Sequence, residues 1–162
     1  MASTGAGRRW WVVMRNNSRL PDGVVLREFR FPEDYAKVID LWEHAGPGIH
    51  VRRSDEKKEI AKKLQRDPDL FLVAESGGRI IGSVMGGFDG RRGLVYHLAV
   101  QEDLRNKGIG TALMNELETR LKEKGCLKAY LLVTRENNLA MEYYTAHGWE
   151  NMDLFIFGKD LG

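Results

Sequence analysis

Val95–Gly110 reads VYHLAVQEDLRNKGIG and runs directly into TALMNELETRLKEKG. An apolar strand ends in a short polar turn carrying Arg105, Lys107, Gly108 and Gly110, and an amphipathic helix begins at once. The first-turn N–H groups of a helix lack intrahelical acceptors, and the helix dipole favours negative charge beyond that end. Glycines let a ligand approach the main chain without meeting a Cβ. Two cations beside them suit a pyrophosphate. The stretch therefore reads as an anion cradle at the head of a helix.

Working outward, Gly23–Arg30 is a first strand, and Pro32, Glu33 and Asp34 open a helix. Tyr35, Val38, Ile39 and Trp42 fall on one face of that helix, which Gly46-Pro47-Gly48 ends. A second helix is expected to be capped near Ser54, with Ile60, Ala61 and Leu64 facing inward between lysines. Leu70–Glu75, Arg79–Phe88 and Leu94–Val100 form a three-strand meander through Ser76-Gly77-Gly78 and Asp89-Gly90. The helix over about 108–124 leads to a strand, Leu127–Val133, then to a helix, Asn138–His147. Trp149–Gly158 is expected to add one or two strands. The order describes an α+β (mixed α/β) domain with helices on the faces of a mixed sheet.

Composition narrows the class. The 162 residues, 43% of them hydrophobic, suffice for one core, and a net charge of +2 gives no global field for nucleic acid. A mean hydropathy of −0.41 and the lack of a long apolar run argue against a membrane protein. The single cysteine, Cys126, excludes an internal disulfide and agrees with a reducing cytoplasm. Residues 1–20 read as a leader, flexible and outside a single domain over 21–162; the apolar run Trp10–Met14 is too short for a signal-peptide core.

Three phosphate-binding designs compete for the turn. The dinucleotide fingerprint needs a third glycine where Leu113 stands, and no Gly-Lys-Ser/Thr string of a P-loop occurs. The third design, R-x-x-G-x-G, is met by Arg105-Asn106-Lys107-Gly108-Ile109-Gly110. Beyond the next strand follows Asn137-x-x-Ala140-x-x-x-Tyr144-x-x-x-Gly148-Trp149. With LAVQEDLRNKGIGTAL, these features resemble the GNAT superfamily of acyl-CoA-dependent N-acetyltransferases, in particular a small bacterial-type branch.

The resemblance implies a central, mostly antiparallel sheet of six or seven strands flanked by about four helices. It also implies a bulge in strand four, which splays from strand five to admit the pantetheine arm of acetyl-CoA. By that resemblance the backbone of Leu98 and Val100 bonds the pantetheine, with their side chains in the core, and the Leu98 amide polarises the thioester carbonyl. The main chain of Asn106, Lys107, Gly108, Ile109, Gly110 and Thr111 takes the pyrophosphate, with the Arg105 and Lys107 side chains nearby. Asn137 contacts the CoA arm, unless it is only a helix cap. Tyr144 is the general acid, unless it merely packs in the core.

The general base stays open among Tyr96, His97, Glu75 and ordered water. Strand alternation puts Tyr96 on the face of Leu98 and Val100, and His97 on the other face unless the bulge re-aims it. His44, His50, Asp55 and Glu56 lie toward the acceptor side implied by the resemblance and lack metal-ligand spacing. The expected reaction is direct transfer from acetyl-CoA to a primary amine, on a small molecule, a lysine or a protein N-terminus. No metal, nucleic acid or membrane is expected to take part, and the protein is a monomer or homodimer. The alternative is a non-catalytic acyl-CoA-binding sensor on the same fold.

Overall fold

The computed structural model describes residues 19–162. The leader expected over 1–20 lies, apart from its last two residues, outside the described residues. The chain divides into two compact units, one ending at Leu132 and one running from Val133 to Gly162.

The first unit is built on one five-stranded sheet. Its strands are β1 (Val24–Glu28), β2 (Phe71–Ser76), β3 (Arg79–Phe88), β4 (Arg92–Val100) and β5 (Lys128–Leu131), and their order in space follows their order in sequence. The first four pair antiparallel, and β5 joins β4 in parallel. The meander read from the Gly-containing turns is therefore present. The helices are α1 (Tyr35–Glu43), α2 (Lys57–Arg66) and α3 (Ile109–Glu123).

Alternation along β3 divides the core between two faces. Its odd positions meet α1: Ser83 accepts a 2.8 Å hydrogen bond from the Trp42 indole, and Met85 packs in a cluster with Val38, Leu41 and Trp42. Phe29 stacks on Phe71 within the same cluster, ring centroids 4.2 Å apart. On the other face Gly82 and Gly86 let α3 lie directly on the sheet. A Cβ added at Gly86 would come within 2.6 Å of Leu117. Ile109, Leu113, Leu117 and Leu121 are buried there, each worth roughly 1.5–3 kcal/mol of transfer free energy.

Two local expectations are corrected. The first helix begins at Tyr35, after a turn through Pro32–Asp34, because the Asp34 carboxylate binds Arg27 and the Arg30 amide instead of capping the helix. Ser54 is not a cap; it lies within a 3-10 turn, Arg53–Asp55, and α2 starts after Glu56. That turn is closed reciprocally, with the Arg52 amide on the Asp55 carboxylate at 2.9 Å and the Asp55 amide on the Arg52 carbonyl at 2.8 Å.

The second unit holds α4 (Asn138–Ala146), followed by an irregular, largely exposed segment. Trp149–Gly158 forms no strand, so among the described residues the sheet has five strands where six or seven were expected. Strand propensity measures how side chains suit a pleated surface, and it does not supply the neighbouring ladder a strand needs. Leu154, Phe155, Ile156 and Phe157 are all exposed.

Candidate active site

The site is organised by the shape of β4. Its ladder with β5 runs only from Arg92–Lys128 to Val95–Leu131, whereas β4 itself continues to Val100. Tyr96–Val100 therefore have no strand partner on that side among the described residues. The Gln101 amide bonds the Ile81 carbonyl, on the β3 side. Main-chain alternation then turns the Val100 amide and carbonyl to the opposite, open edge. The carbonyl accepts from Arg105 Nε at 3.1 Å.

The expected bulge is present. Ala99 pairs with Ser83 and Tyr96 with Met85, so His97 and Leu98 together face the single residue Val84. His97 takes φ +48°, in the left-handed region. The bulge corrects the face assignment made by simple alternation. Tyr96 is opposite Met85 and within reach of Gly87, both odd positions of β3, so it lies on the α1 face with His97. The side chains of Leu98 and Val100, expected in the core, are only half-buried because β5 does not extend to cover them.

His97 is clamped. Its Nε2 lies 3.1 Å from Asp55 Oδ1, and its ring sits 4.4 Å from the Trp42 ring, centroid to centroid. Asp55 is buried, which works to raise its carboxyl pKa, but the bonds from His97 and the Arg52 amide outweigh burial and hold it below the ordinary value. Tyr96 is 40% exposed, and burial of the rest pushes its phenol upward. Glu75 stands on β2, separated from β4 by β3, and binds Arg27 through Nε at 2.7 Å. The structure thus brings Tyr96 and His97 to one face and leaves Glu75 with Arg27.

Past β4, the turn holds two residues in the left-handed region, Asn106 at φ +60° and Gly108 at φ +83°. Gly108 is the N-cap of α3, and the position a Cβ would occupy there is open, its nearest neighbour the Arg19 carbonyl at 4.0 Å. The amides that open α3 follow directly. Ile109 buries its side chain in the core, leaving only its main chain to a ligand. Lys107 is exposed. Arg105 is engaged elsewhere: besides Val100 it donates to the Ala45 carbonyl, tying the end of β4 to the loop after α1.

In the second unit, Asn137 caps α4, its Oδ1 accepting from the Ala140 amide at 3.2 Å. Tyr144 is half-buried and lies edge-on to Tyr143 and to Trp149. Burial, with a smaller contribution from Tyr143, pushes its phenol up to about 12. His44 and His50 are exposed, and among the described residues no group of His, Cys, Asp and Glu is arranged to hold a metal. No helix among the described residues is long and apolar enough to cross a membrane.

Sequence reading did not find the roles of Asp55 and Trp42. Asp55 is 42 residues from His97, and no spacing links a turn before α2 to a strand bulge.

A bulged, half-unpaired strand thus leads through a glycine turn into α3. The family model described as the acetyltransferase (GNAT) family matches residues 35–149, and the chain belongs to that family. It is an acyl-CoA-dependent acetyltransferase of bacterial type. An acetyltransferase of Pectobacterium atrosepticum is 43% identical over 136 residues, covering 84% of this chain and 94% of its own length. One from Yersinia pseudotuberculosis is 41% identical over 129 residues, covering 80% and 90%. Among solved structures, the PaiA N-acetyltransferase of Thermoplasma acidophilum in complex with coenzyme A superposes with a TM-score of 0.72 at 22% identity, covering 82% and 92% of the two chains. An aminoglycoside acetyltransferase from an uncultured soil metagenomic sample gives 0.69 at 16% identity, covering 87% and 98%.

Proposed function

We propose that the protein moves the acetyl group of acetyl-CoA to a primary amine by direct attack within a ternary complex. The observation that carries this reading is the early end of the β4–β5 ladder, which leaves a main-chain edge running from Tyr96 to the glycine turn. An extended pantetheine can add to such an edge as a strand does, with the Val100 amide directed toward it. The glycine turn then receives the pyrophosphate on the amides from Asn106 to Thr111. Lys107 adds charge. Arg105, bonded to Val100 and Ala45, shapes the turn.

In this reading the Leu98 amide stabilises the oxyanion as the amine nitrogen attacks the thioester carbon. The new C–N bond forms, the C–S bond breaks, and Tyr144 protonates the departing thiolate. Its raised pKa keeps that phenol loaded with its proton throughout the neutral range. Asn137, already the cap of α4, contacts the CoA arm through its remaining polar capacity. The acceptor is a small-molecule amine, a lysine or a protein N-terminus, and the reaction takes place in the cytoplasm without a metal.

The test is release of free CoA thiol from acetyl-CoA with spermidine, kanamycin, a lysine-containing peptide and a peptide with a free N-terminus. The expected result is stoichiometric thiol and acetylated amine with at least one of them. Acetyl-CoA binding with no thiol release from any would replace this reading with that of a binding module.

A further inference from the structure

We propose that His97 is the base that deprotonates the incoming ammonium, and that Asp55 positions it. The inference rests on the transferase reading above, and four observations lead to it. His97 occupies the bulge itself, with a left-handed φ of +48°, a backbone state uncommon outside glycine and more accessible to His, Asn and Asp than to most residues. The amide assigned to the thioester carbonyl belongs to the next residue, about 3.8 Å away from Cα to Cα. The imidazole thus belongs to the residue next to the one assigned to the thioester carbonyl, and its ring lies on the α1 face of the sheet, against Trp42.

Its orientation is held from two sides. Asp55 Oδ1 takes the Nε2 end at 3.1 Å, and Trp42 covers one ring face, itself anchored by a 2.8 Å bond to buried Ser83. Asp55 is in turn fixed by the Arg52 amide on its carboxylate, and the Tyr35 hydroxyl donates to its carbonyl at 2.9 Å. A carboxylate accepts only, so Nε2 carries the proton in neutral His97. That leaves Nδ1, the nitrogen nearer the β4 main chain, as the basic lone pair. The side chain keeps 20% of its surface exposed, enough to meet an acceptor.

Among the described residues, these charged and titratable groups surround the His97–Asp55 pair. From the turn before α2 they are Asp55 and, beyond it, Arg52; from α1, Tyr35; from β4, the Tyr96 phenol. From β3 the residue opposite the bulge is the apolar Val84, and the neutral Ser83 is bonded to Trp42. A primary amine is mostly an ammonium at neutral pH, since its ordinary pKa is about 10.4. Nδ1 accepts one ammonium proton, and the freed lone pair attacks the thioester carbon. Tyr144 gives its proton to the thiolate, the second N–H proton restores the Tyr144 phenol, and His97 returns its proton to solvent. Atoms and charge balance as ammonium plus thioester giving amide, thiol and one proton.

The experiment pairs a chemical and a spectroscopic readout on the full chain. His97→Gln keeps an N–H for Asp55 but cannot carry a proton; the left-handed φ suits glutamine less well, so a melting temperature only modestly below the wild type is expected and is measured first. With the acceptor from the panel that is turned over, kcat/KM at neutral pH should fall by about 10²-fold or more, and the acidic limb of its pH profile should disappear. Acetyl-CoA affinity should be kept. Nitrogen NMR of the imidazoles, assigned by loss of the His97 signals in His97→Gln, should report the Nε2–H tautomer in the wild type. Asp55→Asn, which turns an amide toward Nε2, should convert it to Nδ1–H and lower kcat/KM at unchanged acetyl-CoA affinity. An Nδ1–H tautomer in the wild type, or an acidic limb retained in His97→Gln, overturns the assignment while leaving the transferase reading intact. Failure of the wild type to release thiol with any amine in the panel overturns both.

Discussion

Tyr144 shows how far one residue's environment can be turned into a prediction. A phenol acting as a general acid must hold its proton until the thiolate leaves, so the raised pKa extends the working range upward. Tyr144→Phe is expected to lower kcat by roughly 10²–10⁴-fold with acetyl-CoA affinity largely kept. Near-normal turnover would return Tyr144 to a packing role against Tyr143 and Trp149. The alkaline side carries its own signature. For a phenol moved from 10.0 to about 12, kcat should show no fall from tyrosine ionisation through pH 10. A fall centred there, absent in Tyr144→Phe, would contradict the assignment. Tyr144 could be nominated from sequence because Asn137-x-x-Ala140-x-x-x-Tyr144 resembles a block of the family. Asp55 could not, because its partner is supplied by a distant strand.

At the scale of an element, α3 offers an internal control for the phosphate cradle. Glycines in the left-handed region stand at both its ends, Gly108 at φ +83° and Gly125 at φ +86°. Any side chain at either position meets the same backbone strain, on the order of 1–2 kcal/mol. Only Gly108 lies where diphosphate is expected. Gly108→Glu and Gly125→Glu should therefore lose similar thermal stability, while calorimetry finds acetyl-CoA binding abolished in the first and preserved in the second. Equal affinities in the two variants would remove the cradle from that turn. The strand beside it is a harder case for sequence. Hydrophobic alternation in Tyr96–Val100 reads as a regular strand, and the bulge that brings Tyr96 and His97 to one face leaves no compositional trace. The β4–β5 opening is likewise a matter of where a ladder stops.

A buried ion cluster contributes to the stability of the first unit. Arg27, 7% exposed, binds Asp34 through both terminal nitrogens and also holds Glu75. Burial works to raise the Asp34 carboxyl, but Arg27 and the Arg30 amide outweigh it and lower its pKa below the ordinary 3.8. A carboxylate lowered on folding stabilises the fold fully above its unfolded pKa, about 3.9, and loses that contribution as pH falls through the folded value. Acid unfolding should thus steepen below about pH 4. Asp34→Asn, leaving the buried guanidinium without its main partner, should cost about 3–5 kcal/mol at pH 7 and flatten that acid dependence. An unchanged unfolding midpoint in urea at pH 7 would show the cluster to be energetically idle. The cluster also accounts for the late start of α1, since Asp34 is held by Arg27 before it can cap a helix.

Local chemistry alone sufficed for the order of elements from β1 to α4, the meander, the glycine turn that opens α3 and the family pattern spread from Leu98 to Trp149. Those features depend on turn residues, periodicity and short spacings, which act between neighbours in the chain. Long-range pairing determined the rest. The five-strand count, the early end of the β4–β5 ladder, the bulge at His97 and its union with Asp55 and Trp42 all depend on which distant segments meet. Such encounters are set by the packing of the assembled core, and no single stretch of sequence contains both partners.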